Sequence, residues 1–409
     1  LVKMGELQEG QQNIRVEGQI WHKEIRDIRG GRCAVEYYLT DFTGSVIVKQ
    51  FLNKPEDDNL AIDQWIMACG DIRYDPFTRE AVLFASLIES VEAPQRLDLA
   101  PKKRVELHAH TKMSAMDGLV EVEQLIARAA EWGHEAIAIT DHGCVQAFPD
   151  AYQAARKHGI KVIYGVEGYL YENDIKEKPY HVIILARSLE GLHNLYRLVT
   201  LSYLDHFYKN RPRIPRAELS QRRQGLLIGS ACQAGEVFQA FLQGLPQEEL
   251  RRIAGFYDYL EIQPLSNNEF LIEQGVLPDR EALQEINRRI VALAEELGKP
   301  VVATGDVHVL EPHDGILRAI IQAGQGYDDT ESDHPLYLRT TEEMLAEFAY
   351  MGGAAARQVV IEDPNRIMAM VEAIQPVPDG FYPPQIEGAS EEITDLAWKR
   401  GRELYGDPL

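Results

Sequence analysis

Two histidines one residue apart, His108 and His110, close an apolar run, Val105-Glu106-Leu107-His108-Ala109-His110. On an extended strand, residues two apart face the same side, so both imidazoles can address one metal ion. The same kind of side chain recurs wherever another apolar run stops. Residues 136–140 lead into Asp141-His142, residues 162–166 into Glu167, Ile228-Gly229-Ser230-Ala231 into Cys232, and residues 301–305 into Asp306-Val307-His308. His181 follows Tyr180 where a further run opens, and Asp117 lies within Ser114-Ala115-Met116-Asp117-Gly118. A lone His-x-His is a weak signal, but its repetition over so many separated segments is not chance. Imidazoles, carboxylates and one thiol suit Zn, Mn or Fe, and ligand softness does not choose among the three.

Donors at strand ends require strands that converge. Seven strand candidates, 105–109, 136–140, 161–170, 181–186, 226–230, 259–263 and 301–304, alternate with amphipathic stretches such as 120–132 and 280–297, the pattern of an α/β domain. Seven suits a closed or nearly closed barrel better than a two-sided open sheet, and in such barrels the strand ends of one face carry the chemistry. His22, His134, His158, His193, His206, His313 and His334 lack such neighbours and read as surface or second-layer histidines, while Cys33, Cys69 and Cys144 read as small core residues.

The first hundred residues have a different rhythm. Short strands at 14–21, 33–40, 46–51, 65–72 and 81–87, with no long helix between them, predict a small five-stranded barrel of the oligonucleotide-binding (OB) kind. Trp21, Tyr37, Tyr38 and Phe51 either stack on the bases of single-stranded DNA or belong to the core and ordinary surface. Residues 93–102 read as a linker. Beyond His308 the pattern turns helical, at 341–350, 364–373 and 391–404, and the closing Tyr405-Gly406-Asp407-Pro408-Leu409 has the look of a cut end. The expected division is 1–95, 102–325 and a helical extension, 326–409.

Composition sets outer limits. The 409 residues are 45% hydrophobic and 26% charged, ordinary for a soluble globular chain, with no apolar run long enough for a membrane and no leader-like start. Four scattered cysteines fit a reducing cytoplasm rather than a disulfide framework. A formal charge of -22 argues against strong duplex binding by the chain as a whole. The local exception is the basic run from Lys209 through Arg211, Arg213 and Arg216, either a solvated loop or a guide for phosphates.

The runs around His108, His142, Glu167, Cys232 and Asp306-Val307-His308 resemble the polymerase-and-histidinol-phosphatase (PHP) domain of PolC-type DNA polymerase III alpha subunits, and the resemblance extends over nearly the whole chain. It implies a distorted (β/α)7 barrel behind the OB barrel. It also implies up to three divalent ions held by His108, His110, Asp117, His142, Glu167, His181, Cys232, Asp306 and His308. Asp141 has no ligand role in that pattern and is expected to orient an imidazole. The resemblance further implies an inserted proofreading exonuclease, where this chain passes directly from Asp174 to Ile175, and a polymerase core that would follow Leu409; neither is present. The expected chemistry is phosphoester hydrolysis by metal-bound water without a protein nucleophile, as a 3′–5′ exonuclease on DNA. The expected partners are DNA and the other replisome components of the parent protein. The rival readings are a catalytically silent, metal-stabilised scaffold for the polymerase and a free phosphatase for a small molecule.

Overall fold

The computed structural model describes residues 1–28, 30–326 and 336–407; His334, Pro408 and Leu409 lie outside the described residues. The N-terminal strands are β1 Ile14–Ile28, β2 Arg32–Thr40, β3 Ser45–Leu52, β4 Trp65–Asp75 and β5 Glu80–Ser90, closed in the order β1-β2-β3-β5-β4. Pairing within the barrel is antiparallel except between β3 and β5. Alternation of side chains along each strand sends Val16, Ile20, Val35, Tyr37, Leu39, Val48, Ile66 and Leu83 into one apolar core. Tyr37 is therefore core and donates its hydroxyl to Asp58, whereas Trp21 and Phe51 are half exposed. Tyr37 drops out of the set of aromatics that could stack on bases.

The second barrel uses β6 Ala136–Ile139, β7 Lys161–Tyr171, β8 Tyr180–Ala186, β11 Leu226–Gly229, β12 Leu260–Ile262 and β13 Val301–Ala303, with short β9 Phe207–Tyr208 and β10 Arg211–Pro215 beside β7. Residues 105–109 form the seventh stave through single bridges, Glu106 to Ile137 and Ala109 to Val307, and a bridge from Gly229 to Tyr259 joins β11 to β12. The ring closes as 105–109, β6, β7, β8, β11, β12, β13, the closed barrel that the strand count favours and the seven-stranded form that the resemblance implies. Strand β8 runs antiparallel to both β7 and β11. A reversed strand brings its first residue, not its last, to the common mouth, and this is why His181 stands at a strand start.

Helices pack outside the ring. Val122–Glu131 buries Val122, Leu125, Ile126 and Ala129, and Arg280–Glu296 buries Leu283, Ile286, Ile290 and Leu293, the i, i+3, i+4 rhythm of an amphipathic helix. Asp279 caps the second by accepting from the Ala282 amide. The same core takes in Leu338, Met344, Phe348, Val360 and Ile374, so the stretch 338–374 is packed onto the barrel. The last helix, Ala389–Tyr405, buries none of its residues.

Candidate metal centre

The barrel mouth gathers all nine sequence-predicted donors. Three groups have ligand atoms within 4.8 Å of one another: His110, His142 and His308; His108, His110 and Asp306; Glu167, His181 and Cys232. Glu167 lies between them, with Oε1 2.7 Å from His181 Nδ1 and 3.5 Å from His108 Nε2, and Oε2 2.7 Å from His142 Nδ1 and 3.5 Å from His110 Nε2. Asp306 Oδ1 stands 3.1 Å from His108 Nε2 and 3.3 Å from His110 Nε2. Asp117 joins from the rim, its Oδ2 3.1 Å from His142 Nε2 and 3.4 Å from His308 Nε2.

Backbone strain accompanies this convergence. Asp306 and Ala231, the residue before Cys232, hold φ of 51° and 59°, and Met116, the residue before Asp117, holds 65°. Left-handed backbone at non-glycine residues costs roughly 1 kcal/mol or more each and collects at functional sites. The turns that aim Asp306, Cys232 and Asp117 inward are thus held against local preference.

Buried ligand atoms crowded together are the test of whether these residues suit a cation. Among the described residues, His142 Nδ1, Glu167 Oε2, Asp306 Oδ1 and His308 Nε2 are buried, face donors of other staves at 2.7–3.4 Å, and make no aligned hydrogen bond. Buried polar atoms are normally satisfied, so lone pairs from different staves left facing one another fit a bound cation. The electrostatics agree. Burial pushes the Asp306 carboxyl up, but His108, His110 and His308 outweigh it and hold it far below the carboxylate range. Glu167 is lowered in the same way, burial being outweighed by His181, His108 and His142. Burial disfavours the charged form of His142, yet Glu167 and Asp117 raise it to about 10. His110 moves the other way, lowered by burial and by its neighbours His308 and His142. Protons therefore occupy in part the place that a metal would take.

A second layer holds the imidazoles. His108 Nδ1 lies 2.8 Å from Glu261 Oε1, which also accepts from Thr304 Oγ1 at 2.7 Å and Gln263 Nε2 at 3.2 Å. Glu261 escaped the sequence reading, although a carboxylate inside the apolar strand β12 is a legible anomaly. Asp141, expected behind an imidazole, reaches His110 through a hydroxyl: Ser114 Oγ is 2.8 Å from both His110 Nδ1 and Asp141 Oδ1. Glu106 accepts from the His108 and Gly305 amides and pairs with buried Arg104 at 2.5 Å.

The basic run divides. Arg211 is exposed and stacks over Tyr169, whose ring lies 5.3 Å from that of His181 and 6.1 Å from that of His142. Arg213 is buried and donates to the Ile175 and Glu177 carbonyls, while Arg216 pairs with Glu172 and Glu236 over the Phe256 ring. The stretch is strand β10 rather than a loop, which is what turns Arg213 inward. The cleft above the donors, about 400 Å³, is further lined by Gln233, Gln263, Asn267, Asn268 and Phe270.

The family profile described as the PHP domain matches residues 106–273. The chain is similar to the PolC-type DNA polymerase III of Clostridium perfringens, 32% identical over 97% of this chain and 41% of that protein, and of Halalkalibacterium halodurans, 32% identical over 100% and 43%. It thus spans about two fifths of the length of these curated relatives. The alignment to the first runs over 600 positions although the chain has 409 residues, so that relative carries a long internal stretch which this chain lacks. Solved structures with looser likeness include a metal-dependent phosphoesterase from Bifidobacterium adolescentis (15% identity, 53% of this chain and 89% of that one, TM-score 0.25) and a replication protein A domain from Methanococcus maripaludis (14%, 22% and 94%, TM-score 0.20). No helix among the described residues is long and apolar enough to cross a membrane.

Proposed function

We propose that His108, His110, Asp117, His142, Glu167, His181, Cys232, Asp306 and His308 hold up to three divalent ions, Zn, Mn or Fe, and that the chain hydrolyses phosphoesters there as a 3′–5′ exonuclease on DNA. The observation that carries this reading is the meeting of three donor groups around Glu167, their buried ligand atoms crowded together without aligned hydrogen bonds. Cations bound there would supply the Lewis acidity that activates water and neutralises phosphoryl oxygens. The chain's own part is geometric. Glu261 fixes the tautomer of His108, and Asp141 fixes His110 through Ser114. Arg211, lying over the Tyr169 ring, offers a guanidinium to a backbone phosphate at the mouth. A cleft of about 400 Å³ is too small for a duplex and accepts the end of one strand.

In this reading residues 1–95 form an OB domain that contacts single-stranded DNA through Trp21, Tyr38 and Phe51, residues 102–325 form the PHP domain, and residues 326–409 lead toward the remainder of a longer cytoplasmic polymerase. DNA and replisome components are then the partners, as the similarity to PolC-type polymerases suggests. A second reading, a silent metal-stabilised scaffold, is favoured by the complete burial of His108, His110 and Glu167 in the barrel that also packs residues 336–374. The deciding experiment strips the purified chain with a chelator, restores Mn or Zn, and follows release of nucleotides from a 3′-labelled single strand beside hydrolysis of a small phosphomonoester. Release from DNA that is lost in folded His108→Ala and Asp306→Asn supports the exonuclease. Metal binding without release from either substrate leaves the scaffold, and turnover of the monoester alone points to a small-molecule phosphatase.

A further inference from the structure

Asp117 belongs to none of the three close donor groups, and its carboxylate is shared between two neighbourhoods. Oδ2 faces His142 and His308, whereas Oδ1 accepts from Arg318 Nε at 2.9 Å, Arg318 Nη2 at 2.5 Å and Gln322 Nε2 at 3.3 Å. Gln325 Nε2 donates to the Met116 carbonyl at 2.7 Å. Residues 318, 322 and 325 are spaced four and three apart, so one face of the helix Gly315–Gly324 and its end grips the loop 114–118 from outside the barrel. The Arg318 side chain is only 10% exposed, and Met116 in that loop carries the strained φ of 65°. A guanidinium fork that holds one carboxylate oxygen leaves the other with a fixed direction, which a single ammonium cannot impose.

We propose that Arg318 is a positioning residue for the metal centre: it fixes Asp117 so that cation occupancy beside His142 and His308 depends on the helix Gly315–Gly324. The proposal rests on the metal-centre reading given above.

The test counts metal ions on the full chain after Mn or Zn loading and desalting, and titrates each class of site with a chelator. For Arg318→Met the expected result is a 10- to 100-fold weaker class of about one ion per chain, with the remaining ions as tight as before. Arg318→Lys recovers part of that affinity, and Gln322→Leu loses less than Arg318→Met. Circular dichroism and melting of the loaded proteins check the fold; should Arg318→Met fail to fold, Arg318→Lys and Gln322→Leu carry the comparison. Unchanged affinity in the folded variants, or an equal fall for every bound ion, overturns the assignment. A wild-type chain that binds no metal sinks the metal-centre reading and this proposal together, whereas a wild type with full loading and an indifferent Arg318 sinks the proposal alone.

Discussion

Glu261 meets the His108 imidazole from behind, inside the core. Burial raises its carboxyl above the ordinary value, while the contacts with His108 and Thr304 work against that rise. Replacing one acceptor of a ligating imidazole typically costs 10- to 100-fold in metal affinity, so Glu261→Gln should weaken loading by about that factor in a chelator competition. An unchanged affinity would remove Glu261 from the account. Loading should also release protons. Burial disfavours charge on His108, but Asp306, Glu261 and Glu167 raise it well above the usual imidazole value; His142 stands at about 10, and burial with Glu167 and Asp306 pushes the Cys232 thiol well above its own. All three are protonated near pH 7 in the metal-free chain, whereas a ligand must be deprotonated. Calorimetry in buffers of different ionisation enthalpy should register about three protons released on loading, and affinity should fall as pH falls. No release at pH 7 would contradict this charge arrangement. The donors themselves were legible because His, Asp and Glu are rare in apolar strands; Glu261 bore the same mark inside β12 and was passed over, whereas Arg318 was not legible, because it looks like an ordinary charged residue until the fold gives it a partner.

Strand ends carried most of the legible signal, since seven apolar runs, six of them with donors at their limits, suit a ring with those donors at its mouth. The reversal of β8 was hidden, because strand direction is set by pairing with β7 and β11 and leaves no mark in composition. Strand β10 was hidden too. Pro212 and Pro215 suggest a loop, yet they stand near the two ends of a short strand that pairs with both β7 and β9. The joint between residues 105–109 and β13 is the most exposed to test at this scale. Gly305 donates its amide to Glu106, and a Cβ there would lie 2.8 Å from Glu106 Oε2 and 3.0 Å from Val307 Cγ2. Gly305→Ala must displace the carboxylate that also holds the His108 amide, at a cost of about 1–3 kcal/mol. A lowered melting temperature together with weaker metal retention is the expected pair of results; a loss of neither would show that Glu106 can move without consequence.

The two barrels are joined by residues 93–102, a stretch that sequence reads as a linker and that the fold ties down. Arg96 sits between the Trp132 and Tyr337 rings and bonds to Glu311, Glu343 and the Leu338 carbonyl. Two residues on, Asp98 is buried and accepts from His134 at 2.9 Å, from the Thr341 amide and hydroxyl at 2.7 Å each, and from Lys103. Burial alone would raise this carboxyl, but His134, Thr341 and Lys103 hold it well below the usual range. Burial lowers His134, with Asp98 opposing, so the imidazole is neutral in the fold. A lowered histidine gives stability that is present above the unfolded value of about 6.5 and is lost as pH falls toward the folded value; the lowered Asp98 loses its share only below about pH 4. Between pH 7 and 5 only the His134 contribution moves. Asp98→Ala should therefore cost about 3 kcal/mol across that range, because five donors lose their acceptor. His134→Leu should cost about 1.5–3 kcal/mol at pH 7 through one lost bond to a carboxylate, with the gap to wild type narrowing toward pH 5. Trp132, whose indole donates to the Arg96 carbonyl at 2.7 Å, gives a fluorescence signal from the joint itself for both melts. A gap that widens on acidification would mean that His134 is charged in the fold, and that the strap is held by an ion pair rather than by a neutral imidazole.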